Sequence, residues 1–268
     1  MGIFLRGVVA AWVLGPSPAV AATLYVPSPQ HPTLASAVSA ATDGDSIEVD
    51  ATWTPAEPTV FLDVGVTVRG AGGLASLPAL VVGGGAAVIL DDVSFVGLAA
   101  GPAVVVGPGA AVDLVDALFD GNALGGLIVD GASATLEGCT FRDNGDPTHW
   151  DQGVDIWVSE GVVTVGNSTF SSDATSAEEW GAVFLEGASA SFVGTEFEGY
   201  RGDRGAVFHA IPGDSGGVLV LDQVTVVGAH ASEEGGVAWL DHVETTVVGS
   251  VFTGLSSDGD AAGFYVSG

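Results

Sequence analysis

The chain has no lysine. Its five basic residues, Arg6, Arg69, Arg142, Arg201 and Arg204, stand against 33 acidic ones, and the formal charge is −28 over 268 residues. A surface of that sign repels nucleic acid and anionic lipid, so neither is expected as a general partner. Cysteine is nearly absent too: Cys139 stands alone, and no intrachain disulfide can form. No uninterrupted apolar run reaches membrane length, so no transmembrane segment is expected. The HExxH, GxSxG, EF-hand and phosphate-loop patterns are missing, and with them the chemistries they carry. No catalytic, cofactor or metal site is therefore expected. An acidic face can condense divalent cations, but solubility and avoidance of edge association account for it as well.

What is abundant is glycine, 41 residues, and small apolar side chains within a hydrophobic fraction of 47%. The stretch Val88-Ile-Leu-Asp-Asp-Val-Ser-Phe95 recurs as 112–119, 134–141, 163–170, 190–197, 219–226 and 245–252, closing on Phe119, Phe141, Phe170, Phe197, Val226 and Phe252. Successive spacings are 24, 22, 29, 27, 29 and 26, within the roughly 20–50 residues that mark a solenoid. Positions one, three, six and eight of each octapeptide are apolar or small. The odd step from three to six breaks strand alternation, so the chain must turn a corner between two short strands. The corner column reads Asp92, Asp116, Gly138, Asn167, Gly194, Gln223, Gly249, rich in residues that tolerate a left-handed backbone. A second corner follows the closing aromatic at Gly97, Gly121, Asp143, Ser172, Gly199, Gly228 and Gly254.

A third strand precedes the octapeptide, as in Gly181-Ala-Val-Phe-Leu and Gly235-Gly-Val-Ala-Trp, and often ends in a turn pair such as Asp130-Gly131. Three strands and three corners make one coil of a parallel β-helix, each strand pairing with its equivalent about 4.8 Å along the axis. A β-sandwich of hairpins explains single Asp-Gly turns but not one inward pattern kept through seven octapeptides. The sixth-position column, Val93, Ala117, Cys139, Ser168, Thr195, Val224, Ser250, makes Cys139 a small core residue rather than a reactive thiol.

Residues 1–22 read as a secretory signal: Arg6, an apolar centre Gly7 to Leu14, and the cleavage site Ala19-Val20-Ala21. Cleavage leaves four arginines against 33 acids, a charge of −29. Residues 23–78 form an N-terminal cap and a degenerate first coil. Thr33 is the expected N-cap of a short helix presenting Leu34, Ala37, Val38 and Ala41 on one face, suited to covering a solenoid's open end. In the first coil, Val66-Thr-Val68-Arg-Gly70 fits the closing half of the octapeptide and Asp63 falls at an inward place. Regular coils fill 79–268. Ala262-Gly-Phe-Tyr-Val266 reads as the first strand of another coil, leaving an apolar end that could self-associate end to end, and a longer product stays open as an alternative. The fold expected is all-β: a right-handed single-stranded parallel β-helix with a short N-terminal capping helix.

The segment HPTLASAVSAATDGDSIEVD (31–50), followed by GVTVRGAGG (65–73), resembles the start of pectin-lyase-like right-handed β-helix proteins. Phe141-Arg-Asp-Asn144 and Gly235-Gly236-Val237 resemble the repeats of polymorphic outer-membrane proteins and related bacterial surface proteins. The resemblance covers almost the whole chain after residue 22, departs from the pattern at Phe197-Glu-Gly-Tyr200, and implies the fold and export to the cell surface, outer membrane or medium. Lyases of such folds use basic residues to neutralise a uronate and take its proton, and the hydrolases carry clustered Asp with Gly-His-Gly. This chain has no lysine and no Gly-His-Gly.

Three constellations remain. Asp92 and Asp116 hold equivalent corners in adjacent coils, which places them near the ~5–5.5 Å of a retaining glycosidase pair, though backbone geometry alone explains both. The long corners 142–152, 171–180, 198–204 and 227–234 should emerge from one edge. There Trp150, Trp180 and Tyr200 would line up beside His149, Arg201, Arg204 and His230, a row able to hold a glycan or a surface protein unless each ring folds down onto its own coil. Arg201-Gly202-Asp203 is an RGD tripeptide, a match common by chance. The favoured reading is an exported, non-enzymatic, adhesin-like rod; the alternative is a polysaccharide lyase or glycoside hydrolase.

Overall fold

In the computed structural model, which describes residues 21–145, 154–173, 181–213 and 216–268, the octapeptide does what its pattern predicts. Ala87–Asp91 and Val93–Val96 are strands on either side of a corner at Asp92. Val88, Leu90, Val93 and Phe95 are all at most 2% exposed. Val104–Val106 is the third strand. The next coil repeats the set in register: Ala87 pairs with Ala111, Phe95 with Phe119 and Val104 with Leu127, all parallel. Stacking builds sheets of ten, eight and nine strands, with a further three-stranded sheet in the last coils. The protein is a right-handed parallel β-helix of about nine turns. Parallel pairing of consecutive octapeptides rules out the hairpin sandwich.

The whole first corner column is left-handed, with φ of 52°, 50°, 65°, 46°, 59°, 55° and 59° from Asp92 to Gly249. One residue turns the chain between two sheets, and Asp, Asn and Gly reach that conformation at least strain. Turning there points both halves of the octapeptide inward. Phe95, Phe119, Phe141, Phe170 and Phe197 then form a buried stack, with ring centres 5.0, 4.5, 4.6 and 4.6 Å apart. Val226 and Phe252 continue its register.

Three residues beyond the aromatic, Asn122 and Asn144 turn inward, 0% and 4% exposed. Each donates through Nδ2 to the carbonyl of the preceding coil's phenylalanine, Phe95 at 3.0 Å and Phe119 at 3.1 Å. Each corner side chain thus adds a donor to a strand carbonyl of the coil before it and ties the two coils together.

At the amino end, helix Leu34–Ala40 starts at Thr33, whose hydroxyl accepts from Ser36 N in a reciprocal capping box. Its buried face is Leu34, Ala37 and Val38, with Ala41 packed beside it, against the first strands. Two expectations for the first coil need correction. Val68 pairs with Leu90, so Val66-Thr-Val68 is the opening half of the octapeptide. Residues 70–74 then stand where later coils use a single corner residue, since Arg69 pairs with Asp91 and Ala75 with Val93. Asp63 is exposed, because Val60 and Leu62 take the inward places. In the last described coil, Val247 is 43% and Val266 66% exposed, and Phe252 and Phe264 pack only partly against the core. Among the described residues no helix is long and apolar enough to cross a membrane.

Candidate binding surface

Inward positions of the third sheet are filled by Leu, Val, Ile and Ala, with Phe208 and Phe264 in the late coils; the alternate positions face outward. From the fifth strand of that sheet on, those outward places hold rings. Trp157, Phe184, His209, Trp239 and Tyr265 lie in one register column over five consecutive strands. Trp157 meets Phe184 edge to face at 5.2 Å. Phe184, His209, Trp239 and Tyr265 stack at 5.4, 4.8 and 6.3 Å, with planes within 28° of each other. Phe184 and His209 are buried, while Trp157, Trp239 and Tyr265 are partly exposed. The strands supply spacing and the parallel register supplies alignment, so the ridge is as rigid as the rod itself.

His209 anchors the middle of the ridge. Its Nδ1 lies 3.0 Å from the Arg204 carbonyl, and a carbonyl only accepts, so Nδ1 carries the proton. Burial, before any other cause, pushes its pKa down to about 4, leaving a neutral ring in the stack. Beside it, Trp239 Nε1 donates to Glu234 Oε2 at 3.1 Å. Arg204 sets its guanidinium 5.9 Å from the Trp239 ring centre while Nε contacts Glu233 Oε2 at 2.7 Å. A second outward column runs two residues along each strand: Asp130, Ser159, Glu186, Ile211, Asp241, Ser267.

The corners expected to be loops are partly strand. Arg201–Arg204, His230–Glu234 and Ser256–Ser257 pair as the three-stranded sheet. Arg201-Gly202-Asp203 therefore lies in an extended strand, with Gly202 buried and Asp203 Oδ1 accepting from Ser232 Oγ at 2.5 Å. His230 sits 2.8 Å from Ser256 Oγ and 3.7 Å from Asp258. Trp150, Trp180 and His149 lie outside the described residues. Tyr200 is turned away from any surface row: it is 2% exposed, and its hydroxyl donates to Asp155 Oδ2. The reason is electrostatic. Asp155 is 1% exposed and receives Asn144 Nδ2 at 2.8 Å on its other oxygen, so the second oxygen needs a donor that a phenol can bring. Burial still pushes the Asp155 pKa up to about 7.

Asp92 and Asp116 hold adjacent corners, as expected, with their backbones left-handed. The Asp116 carboxylate overlies Gly138 of the next coil, where an added Cβ would collide with Oδ1. A shallow concavity of about 420 Å³ lies elsewhere, on the outer face of the first sheet, lined by Asp43, Gly65, Val66, Thr67, Ala87 and Ile89 among others. Asp43 is its one titratable side chain, and Oδ1 already accepts from Gly65 N at 2.8 Å. Among the described residues no three His, Cys, Asp or Glu side chains converge as a metal set. Cys139 is 1% exposed, with Sγ 3.5 Å from the Leu114 carbonyl, and burial pushes its thiol up to about 11.

The ring ridge was missed in the sequence. Its signal was present as the outward residue of each third strand, but the strands recur at unequal intervals, and only pairing shows which residues align.

No protein-family model matches the chain, and no curated protein sequence does. Among solved structures the chain is similar to one described as the crystal structure of pectate lyase Pel9A. The two share 13% identity at a TM-score of 0.40, over 91% of this chain and 79% of that one.

Proposed function

We propose that this protein is an exported, non-enzymatic β-helical rod that works by binding a macromolecular partner along the outer face of its third sheet. The observation that carries the reading is the ring ridge from Trp157 to Tyr265, held in register over five strands. Aromatic side chains at regular outward positions of a rigid sheet supply large contact area at small entropic cost. Export rests on the amino-terminal signal pattern with Arg6 and Ala19-Val20-Ala21. The corner carboxylates Asp92 and Asp116 serve backbone geometry in this reading, and a charge of −28 works against concentrating a polyuronate.

The test has two arms. The purified protein is screened for binding to immobilised glycans and polypeptides beside Trp157→Ala and Tyr265→Ala, both expected to bind more weakly with unfolding temperature little changed. It is also assayed on pectate, alginate and neutral glycans with and without calcium, with no turnover expected. Turnover abolished by Asp92→Asn or Asp116→Asn would overturn the non-enzymatic reading.

A further inference from the structure

Within the ridge, Phe184, His209, Trp239 and Tyr265 turn their faces toward one another. A sugar ring, which binds by lying flat on an open aromatic face, finds little room inside such a stack. What the surface does accept is already seated on it: the Arg204 guanidinium lies against the Trp239 ring and pairs with Glu233. Around that point the charge is overwhelmingly negative. Glu234 accepts from the Trp239 indole, Asp241 lies two residues along the same strand as Trp239, with His242 Nδ1 and Ser267 Oγ each 2.7 Å from its Oδ1 and Oδ2 left to the surface, and Asp258 and Asp260 are exposed beside the three-stranded sheet. Arg201 and Arg204 are the only arginines in the last third of the chain, and the sequence holds no lysine.

We infer that the Trp239–Tyr265 end of the ridge docks an arginine- or lysine-bearing segment of a partner polypeptide, its cationic side chains set against the rings and the carboxylates of Glu234 and Asp241. This rests on the ridge being the working surface and adds the partner's chemistry. A cation near an aromatic ring and a carboxylate gains from both, and more where the site is partly dry. Arg204 shows that chemistry within the chain itself. The long-range field of a chain without lysine attracts such a segment from solution.

The test is fluorescence anisotropy with a labelled nona-arginine peptide, a matched glycine-serine peptide and a chitosan oligomer. Wild type is expected to bind the arginine peptide and not the neutral one, with affinity falling as salt rises. Trp239→Ala should weaken binding about tenfold. Trp239→Phe, which keeps a ring, should lose at most about threefold, and Asp241→Asn should also weaken binding. Asp113→Asn, an exposed acid on the first sheet, should leave affinity within about twofold. Equal losses for Trp239→Ala and Asp113→Asn would mean diffuse attraction to a polyanion and would overturn the inference. So would chitosan binding that depends on Trp239 while peptide binding does not, an outcome that leaves the ridge itself as a binding surface. If no polymer responds to Trp157 or Trp239, the proposed function falls with it. Should Trp239→Ala unfold, Trp239→Phe and Asp241→Asn carry the decision.

Discussion

The Tyr200 hydroxyl donates a hydrogen bond to Asp155, 45 residues earlier in the chain and two coils back along the rod. The bond closes a buried polar chain: Asn122 Nδ2 donates to Asn144 Oδ1 at 2.8 Å, and Asn144 Nδ2 to Asp155 Oδ1. Asp155 is the terminal acceptor, and its burial gives the joint a pH dependence. Its folded pKa of about 7 lies above the ordinary 3.8. The stabilisation is therefore fully present below pH 3.8 and is lost as pH rises through 7, a change of roughly 4 kcal/mol. His209 acts in the opposite sense. Its folded pKa of about 4 lies below 6.5, so its contribution is present above pH 6.5 and lost as pH falls through 4. Between pH 4 and 7 the two slopes oppose each other, so thermal unfolding followed from pH 4 to 8 should tilt toward higher stability with rising pH across that window in Asp155→Asn relative to wild type; an unchanged profile would dismiss Asp155 as a contributor.

Removing the donor tests the same joint from the other side. Tyr200→Phe keeps the ring but leaves one Asp155 oxygen without the phenol. We expect a loss of about 1–3 kcal/mol by denaturant unfolding at pH 7, and a smaller loss at pH 5, where Asp155 is protonated. Equal losses at both pH values would contradict this account.

Gly138 and Asp116 provide a coupled pair across coils. Gly138 has φ of +65°, and a Cβ there would strike the Asp116 carboxylate. Gly138→Ala should therefore destabilise by about 1–3 kcal/mol, chiefly through its left-handed backbone and to a smaller extent through displacing the exposed Asp116 carboxylate. Asp116→Gly removes the collision and keeps a left-handed corner. Within the Asp116→Gly background, Gly138→Ala should cost measurably less, and strict additivity in the double-mutant cycle would exclude the contact.

Cys139 separates core from surface. Cys139→Ser should be mild, because Ser168 occupies the next coil's equivalent place and its Oγ accepts from Cys139 N at 3.1 Å. Cys139→Arg should abolish folding, since it buries an unpaired charge. In the native state the thiol should resist alkylation at pH 8 and react only on unfolding. Rapid native labelling would place it at the surface.

The octapeptide by itself determined the coil. Val88, Leu90, Val93 and Phe95 and their repeats could point inward together only if a left-handed residue sat at the sixth position minus one, and Asp, Gly, Asn and Gln were legible there. The capping helix was equally local, written in Thr33 and the spacing of Leu34, Ala37, Val38 and Ala41. Tertiary structure decided what depends on lateral neighbours. Tyr200 follows the closing aromatic like any other corner residue, and nothing near it in sequence reveals that Asp155 is buried and short of a donor. Trp157, Phe184, His209, Trp239 and Tyr265 look unrelated along the chain, because corners of different length separate their strands. Local pattern sets which way a side chain points from its own strand, since that needs only the period of two. Which side chains share a column is set by hydrogen-bonded register between coils, a property of the folded stack rather than of any segment within it.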